Sequence, residues 1–215
     1  MVLVSFVRDL SFWKSEFRRT AGLDVTKLSE TGRFAYVDCF TTLSSSRPET
    51  VLQEIDKSIT AAITKAGLSG WNITLVLDNP DILLALTLAT SQQLNGLLLR
   101  LRSQIHSAVL TCSADLPFVA AATSDQATLP TPIEAETAAF VVQQAHNARL
   151  VMSVRDLDTG AARDVSGVVR ITRGGACYDW DDEEMDRQAT KEMEALYLVQ
   201  RDGSAKVFER GAGGM

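Results

Sequence analysis

Ile73-Thr74-Leu75-Val76-Leu77-Asp78-Asn79-Pro80-Asp81 is the stretch on which the fold turns. A nearly unbroken apolar run, ended by a polar turn containing proline, reads as a strand buried on both faces. A strand with one wet face would alternate apolar and polar residues instead. Working outward, the same grammar repeats. Val2 to Val7, Phe34 to Phe40 and Ile105 to Cys112 are further apolar strand candidates. Helical patterns separate them. Leu10, Trp13, Phe17 and Ala21 recur at steps of three and four, and Gly22 stands where that helix stops. Ser46-Arg47-Pro48-Glu49 has the form of a capping box ahead of Val51, Leu52, Ile55, Ile59, Ala62 and Ile63, with Gly67 at the far end. Helices over Ile82 to Leu88 and Ser91 to Arg102 follow, and Thr131-Pro132-Ile133-Glu134 opens another that runs to His146. Strands alternating with helices predict an α/β fold whose mostly parallel sheet is covered on both faces.

After residue 147 the pattern changes. Leu150 to Val154 and Val165 to Ile171 flank Asp158-Thr159-Gly160, a hairpin signal. Leu196 to Gln200 and Ala205 to Glu209 flank Asp202-Gly203, the strongest short hairpin turn. A two-residue turn there sets Tyr197 opposite Phe208 and Leu198 opposite Val207. The expectation is one domain over residues 1–215, in which antiparallel hairpins of 148–215 extend the parallel sheet of 1–147. Asp179 to Glu184 reads as a solvated acidic excursion and Gly211 to Gly214 as a flexible tail. The closing hairpin is apolar on both faces, so it needs cover from this domain or from another subunit.

Composition narrows the function. Among 215 residues, 46% are hydrophobic and 22% charged, which places the chain among globular proteins rather than disordered ones. A formal charge of -6 argues against coating nucleic acid nonspecifically. Cys39, Cys112 and Cys177 lie far apart and are odd in number, so they read as buried thiols in a reducing compartment, not as a disulfide framework. His106 and His146 stand at no ligand spacing from one another or from a cysteine, and no metal is expected. No apolar stretch approaches the ~20 residues of a membrane span, and the opening run meets Arg8 and Asp9 too soon for a signal peptide. No membrane partner is expected.

Leu75-Val76-Leu77-Asp78 resembles the Walker B element of P-loop ATPases, where an aspartate ending an apolar strand orients magnesium. The plainer reading makes Asp78 part of a helix start, with Asn79 as cap and Pro80 as first residue. The missing partner decides between them. A triphosphate needs G-x-x-x-x-G-K-[ST], whose amides and lysine neutralise phosphate. Gly67 and Gly70 lead into Trp71, and Gly174-Gly175 leads into Ala176-Cys177-Tyr178. G-x-G-x-x-G is absent too, which removes the usual dinucleotide signature. Ser44-Ser45-Ser46 lacks a nucleophile elbow, and Cys39 and His106 read as structural. Arg100 and Arg102 close a helix, while Arg163, Arg170 and Arg173 lie about the first hairpin and would meet RNA phosphates only if clustered. No catalytic, cofactor-binding or metal residue is assigned.

Three blocks resemble the subunit 6 family of the Elongator complex in its fungal form. They are Val4-Ser5-Phe6-Val7-Arg8-Asp9-Leu10-Ser11-Phe12-Trp13-Lys14, the run from Leu157 to Ile171, and the closing hairpin from Tyr197 to Gly211. The second is the most specific, with Thr159-Gly160, Arg163-Asp164-Val165 and Gly167-Val168-Val169-Arg170-Ile171 at the family's spacing. The resemblance implies a RecA-like fold without a working Walker A loop. It implies a non-catalytic subunit that joins Elongator subunits 4 and 5 in a hexameric ring with two copies of each. That ring docks on the larger catalytic Elongator subcomplex, binds tRNA and supports modification of the wobble uridine (U34), in the cytoplasm and also the nucleus. The family has a further strand and helix before the first block. The alternative is therefore a RecA-like ATPase whose P-loop lies in sequence upstream of Met1.

Overall fold

Leu75 and its neighbours do form a strand, and it lies inside a parallel sheet. The computed structural model describes residues 1–68, 70–115, 129–157, 160, 162, 164–178 and 191–209. In chain order the first elements are β1 (Val2–Ser5), α1 (Leu10–Ala21), α2 (Val25–Glu30), β2 (Ala35–Asp38), α3 (Cys39–Ser45) and α4 (Val51–Gly67). There follow β3 (Thr74–Asp78), α5 (Ile82–Ala85), α6 (Ser91–Arg102), β4 (Ser107–Thr111) and α7 (Pro132–Asn147). The four strands pair in the order β2-β1-β3-β4, all parallel. Contacts divide the chain into two units, Met1–Val142 and Gln143–Met215.

Side chains of a strand alternate between faces, and here both faces are apolar. Val2, Val4, Val37, Leu75 and Leu77 point to the side where Val51, Ile55, Ile59 and Ile63 of α4 meet Leu94, Leu97, Leu98 and Leu101 of α6. Leu3, Tyr36 and Val76 point to the opposite side, toward Val25, Phe34 and the apolar stripe Leu10, Trp13 and Phe17 of α1. That is the two-sided burial expected of a parallel sheet.

Helix ends follow local chemistry. Asp9 caps α1 by accepting the Phe12 N–H at 2.8 Å, and Gly22 closes it at φ 64°, a conformation that costs glycine nothing. Thr131 and Glu134 form the reciprocal capping box expected of them, at 2.7 and 3.4 Å. The box at Ser46 does not form. Glu54, in the first turn of α4, draws the hydroxyls of both Ser46 and Thr50, so the helix starts at Val51. β2 stops short of its expected end because the Asp38 carboxylate accepts the Thr41 N–H at 2.9 Å, so that Cys39 opens α3 instead of ending a strand.

The second unit carries β5 (Leu150–Arg155), β6 (Gly167–Arg173), β7 (Met193–Val199) and β8 (Ala205–Glu209), antiparallel and in sequence order. They form their own sheet and do not extend the parallel one. Each strand pairs with its neighbour in sequence, and no ladder joins the two sheets among the described residues. The closing hairpin also differs in register, with Leu196 opposite Phe208 and Tyr197 opposite Val207. The cause is loop length. Gln200 and Ser204 pair at 2.8 Å around three residues, Arg201, Asp202 and Gly203, with Gly203 at φ 85°. A three-residue loop with glycine in the left-handed region slides the strands by one position relative to a two-residue turn. Asp158 and Thr159, Asp179 to Glu184, and Gly211 to Gly214 lie outside the described residues.

Candidate functional site

In an open parallel sheet, ligands bind beyond the carboxyl ends of the strands, where the chain changes direction of travel across the sheet. Here that point lies between β1 and β3. From β1 the chain moves out to β2, and from β3 it moves the opposite way to β4. The register brings one polar residue from every strand into a single row at this end: Asp38, Ser5, Asp78 and Thr111.

Asp78 is the centre of that row. It is 9% exposed, and its carboxylate accepts the Ser5 hydroxyl at 2.8 Å and the Thr111 hydroxyl at 3.3 Å. Its backbone carbonyl takes the Phe6 N–H at 3.2 Å. The reading of Asp78 as a helix start is therefore corrected: it ties β1, β3 and β4 together. The residue at the α5 start is Asp81, whose side chain makes no cap bond to the helix. Asn79 bridges the two at φ 54°, which asparagine tolerates better than most residues. One Asp81 oxygen accepts the Ser113 N–H at 3.0 Å; the other is buried without a hydrogen-bond partner. Burial raises its pKa above the usual carboxylate range.

The electrostatics of this end are negative. Tyr36 donates its hydroxyl to the Arg8 carbonyl at 2.7 Å, and its pKa is pushed up to about 12, first by burial and then by Asp38 and Asp9. Burial, reinforced by Asp38, lifts the Cys39 thiol to about 12. Burial and then Asp81 lift Cys112 to about 11. Neither thiol becomes a thiolate near neutral pH, so neither is an activated nucleophile. The helix termini are occupied as well. A phosphate binds a helix N-terminus through free N–H groups, yet Asp9 and Asp38 fill those positions on α1 and α3 with their own carboxylates. Hydrogen bonding by Phe12 N–H holds Asp9 below its usual pKa. The Arg8 guanidinium lies over the Phe12 ring, 4.6 Å from its centroid.

The other residues singled out in the sequence do not gather here. Arg100 pairs with Asp56 at 2.8 Å. Arg170 and Arg173 sit on opposite faces of β6, since Arg170 lies opposite Ser153 and Arg173 opposite Leu150, and Arg163 is outside the described residues. A clustered arginine surface is thus absent for the described pair. Ser44 and Ser45 bond back to helix carbonyls. No group of three or more His, Cys, Asp or Glu forms a metal site among the described residues, and no helix there is long and apolar enough to cross a membrane.

Sequence reasoning passed over Ser5 and Thr111. The available signal was modest: a polar residue at the end of each apolar run, which lines up only once the parallel register is known. No protein-family model matches the chain, and a search of curated proteins returns no match.

Proposed function

We propose that this chain is a non-catalytic subunit of an Elongator-type assembly, RecA-like in layout. It joins subunits 4 and 5 in a hetero-hexameric ring that binds tRNA and serves wobble-uridine modification. The resemblance of three sequence blocks supports the partners. The observation that carries the non-catalytic part is the chemistry of this sheet end: Asp9 and Asp38 occupy the N-termini of α1 and α3 where phosphates would bind, and the Asp78 carboxylate lies beside them, bonded to Ser5 and Thr111. Carboxylates gathered at one sheet end repel a triphosphate. The test is co-expression of the chain, with an intact amino terminus, alongside subunits 4 and 5. A stable complex that binds tRNA supports the reading, and failure to co-purify with either subunit removes it.

The ATPase reading draws on one observation, the place of Asp78 at the carboxyl end of β3. It predicts magnesium-dependent ATP turnover by the same preparation, abolished in Asp78→Asn. Absence of turnover above background would eliminate it.

A further inference from the structure

A recess of about 460 Å³ borders the second half of α1 and the turn that leads into α2. Lys14, Ser15 and Arg18 of α1 line one side, and Leu23, Asp24 and Thr26 line the other. Arg19 also reaches it, but Glu16 holds its guanidinium at 2.5 Å, so that pair adds no net charge. Among the described residues the Lys14 and Arg18 side chains make no ion pair or hydrogen bond of their own, and the Ser15 and Thr26 hydroxyls make no hydrogen bond.

Lys14 and Arg18 stand four residues apart, hence on one face of α1, where like charges repel. Asp24 is the one carboxylate in the lining. It accepts the Thr26 N–H at 3.0 Å, and Arg18 and Lys27 lie near enough to act on it electrostatically. Lys14, Arg18 and Lys27 against Asp24 leave the recess positive, on a chain whose formal charge is -6. The end of α1 does not oppose an anion as an open helix end would. Its carbonyls on Phe17 and Arg18 accept the Leu23 and Gly22 N–H groups, both at 3.1 Å.

We propose that this recess seats a phosphate group of an RNA backbone. Lys14 and Arg18 neutralise its charge, and the Ser15 and Thr26 hydroxyls donate to its oxygens. Charge complementarity selects the sign of the partner, and the lining selects its chemistry. Leu23, 44% exposed, is the only exposed large apolar side chain there. Protein interfaces draw their affinity from buried aromatic and apolar anchors, for which this recess has little room. A phosphodiester needs only cations and donors. No aromatic ring lines the recess, so no base stacks in it and the contact reads no sequence. Repulsion by an otherwise acidic chain confines the strand to this place. RNA contact rests on the tRNA-binding part of the proposed function, and the two fail by different results.

The test follows the anisotropy of a short fluorescein-labelled single-stranded RNA titrated with the full chain. Binding should be saturable, indifferent to base sequence and weakened by added potassium chloride. Lys14→Gln combined with Arg18→Gln, at exposed helical positions, should leave the melting temperature unchanged and weaken binding about tenfold. The slope of log affinity against log salt should fall by about 1.4, at about 0.7 for each phosphate contact on a single strand. Lys57→Gln combined with Lys65→Gln removes the same charge from the exposed face of α4 and should change binding by less than about twofold. The proposal fails if the parent binds no RNA, if the two double variants weaken binding equally, or if polyglutamate displaces the RNA as well as unlabelled RNA does. In a second arm, the Lys14→Gln and Arg18→Gln chain should co-purify with subunits 4 and 5 as the parent does. A variant that no longer assembles would make the recess a subunit contact and sink the proposal. Failure of the parent to assemble removes the subunit reading instead, and the recess is then judged by RNA binding to the chain alone.

Discussion

Asp78 brings a carboxylate to a place where two hydroxyls from separate strands meet it, and hydrogen-bonding capacity rather than charge explains its position. Asp78→Asn keeps an acceptor for the Ser5 hydroxyl, which is fully buried, and should cost under about 1 kcal/mol. Asp78→Ala strands that hydroxyl and should cost about 2 kcal/mol in urea denaturation. Equal losses in the two variants would mean that the negative charge itself matters. Asp81 behaves differently. Burial raises its folded-state pKa above the unfolded value, so the native protein holds the proton more tightly across that window. Stability therefore falls as pH rises from the ordinary carboxylate range through the raised pKa. Asp81→Asn should stabilise the protein at pH 7 by at most about 1 kcal/mol after screening, with the gain shrinking as pH drops through that window. Denaturation midpoints at pH 7 and pH 4 test this. At this scale the sequence marked Asp78 as the end of a strand, but its partners were not legible. Parallel neighbours come from distant segments, and nothing local in Val4-Ser5-Phe6 announces that Ser5 will face it.

Elements were easier to read than their edges. α6 spans Ser91–Arg102 as its pattern predicts, because Thr90 and Gln93 form a full capping box and a leucine stripe fixes the face. Strand ends were overread. β1 ends at Ser5, yet Phe6 is as buried as the residues before it, so apolar character continues after the ladder stops. The hairpin slip has a similar origin, since Asp202-Gly203 signals a turn without stating whether the loop holds two residues or three. Glycines in the second unit are constrained by close approach. A Cβ on Gly174 would fall 2.0 Å from the Ala148 carbonyl oxygen, and one on Gly167 would fall 2.5 Å from the Arg155 carbonyl oxygen and 2.9 Å from the Tyr197 ring. Backbone cannot yield as a flexible side chain does. Gly174→Ala should therefore cost about 3 kcal/mol or more, read as a lowered thermal midpoint, whereas Gly96→Ala, in open space within α6, should stabilise by a few tenths of a kcal/mol up to about 1 kcal/mol. A Gly174→Ala protein that melts like the parent would contradict this close approach.

For the molecule as a whole, the alternation of strands and helices announced a parallel α/β sheet, and the later turn-rich segment announced antiparallel hairpins. Their separation into two sheets was not legible, because apolar periodicity says which face of a strand is buried but not which strand lies beside it. The antiparallel sheet leaves a coherent apolar face exposed, an arrangement that monomeric proteins rarely keep uncovered. The chain expressed alone should bind the dye ANS in its native state, and Met152→Lys combined with Val207→Lys should remove most of that fluorescence. With a pI near 5.0, its solubility should also pass through a minimum near that pH, where charge repulsion no longer opposes contact between such faces.

The strand order has a consequence for synthesis on the ribosome. Val2 of β1 pairs with Ala35 on one side and with Leu75 on the other, so a strand made before both of its partners is flanked on both sides in the finished sheet. It has no parallel neighbour until β2 clears the exit tunnel, and its second side stays open until β3 follows. Pairings of such long sequence separation form slowly and leave apolar segments exposed meanwhile. A nascent chain of this kind is a natural client for a chaperone that shelters one short segment, β1, until the rest of its sheet arrives.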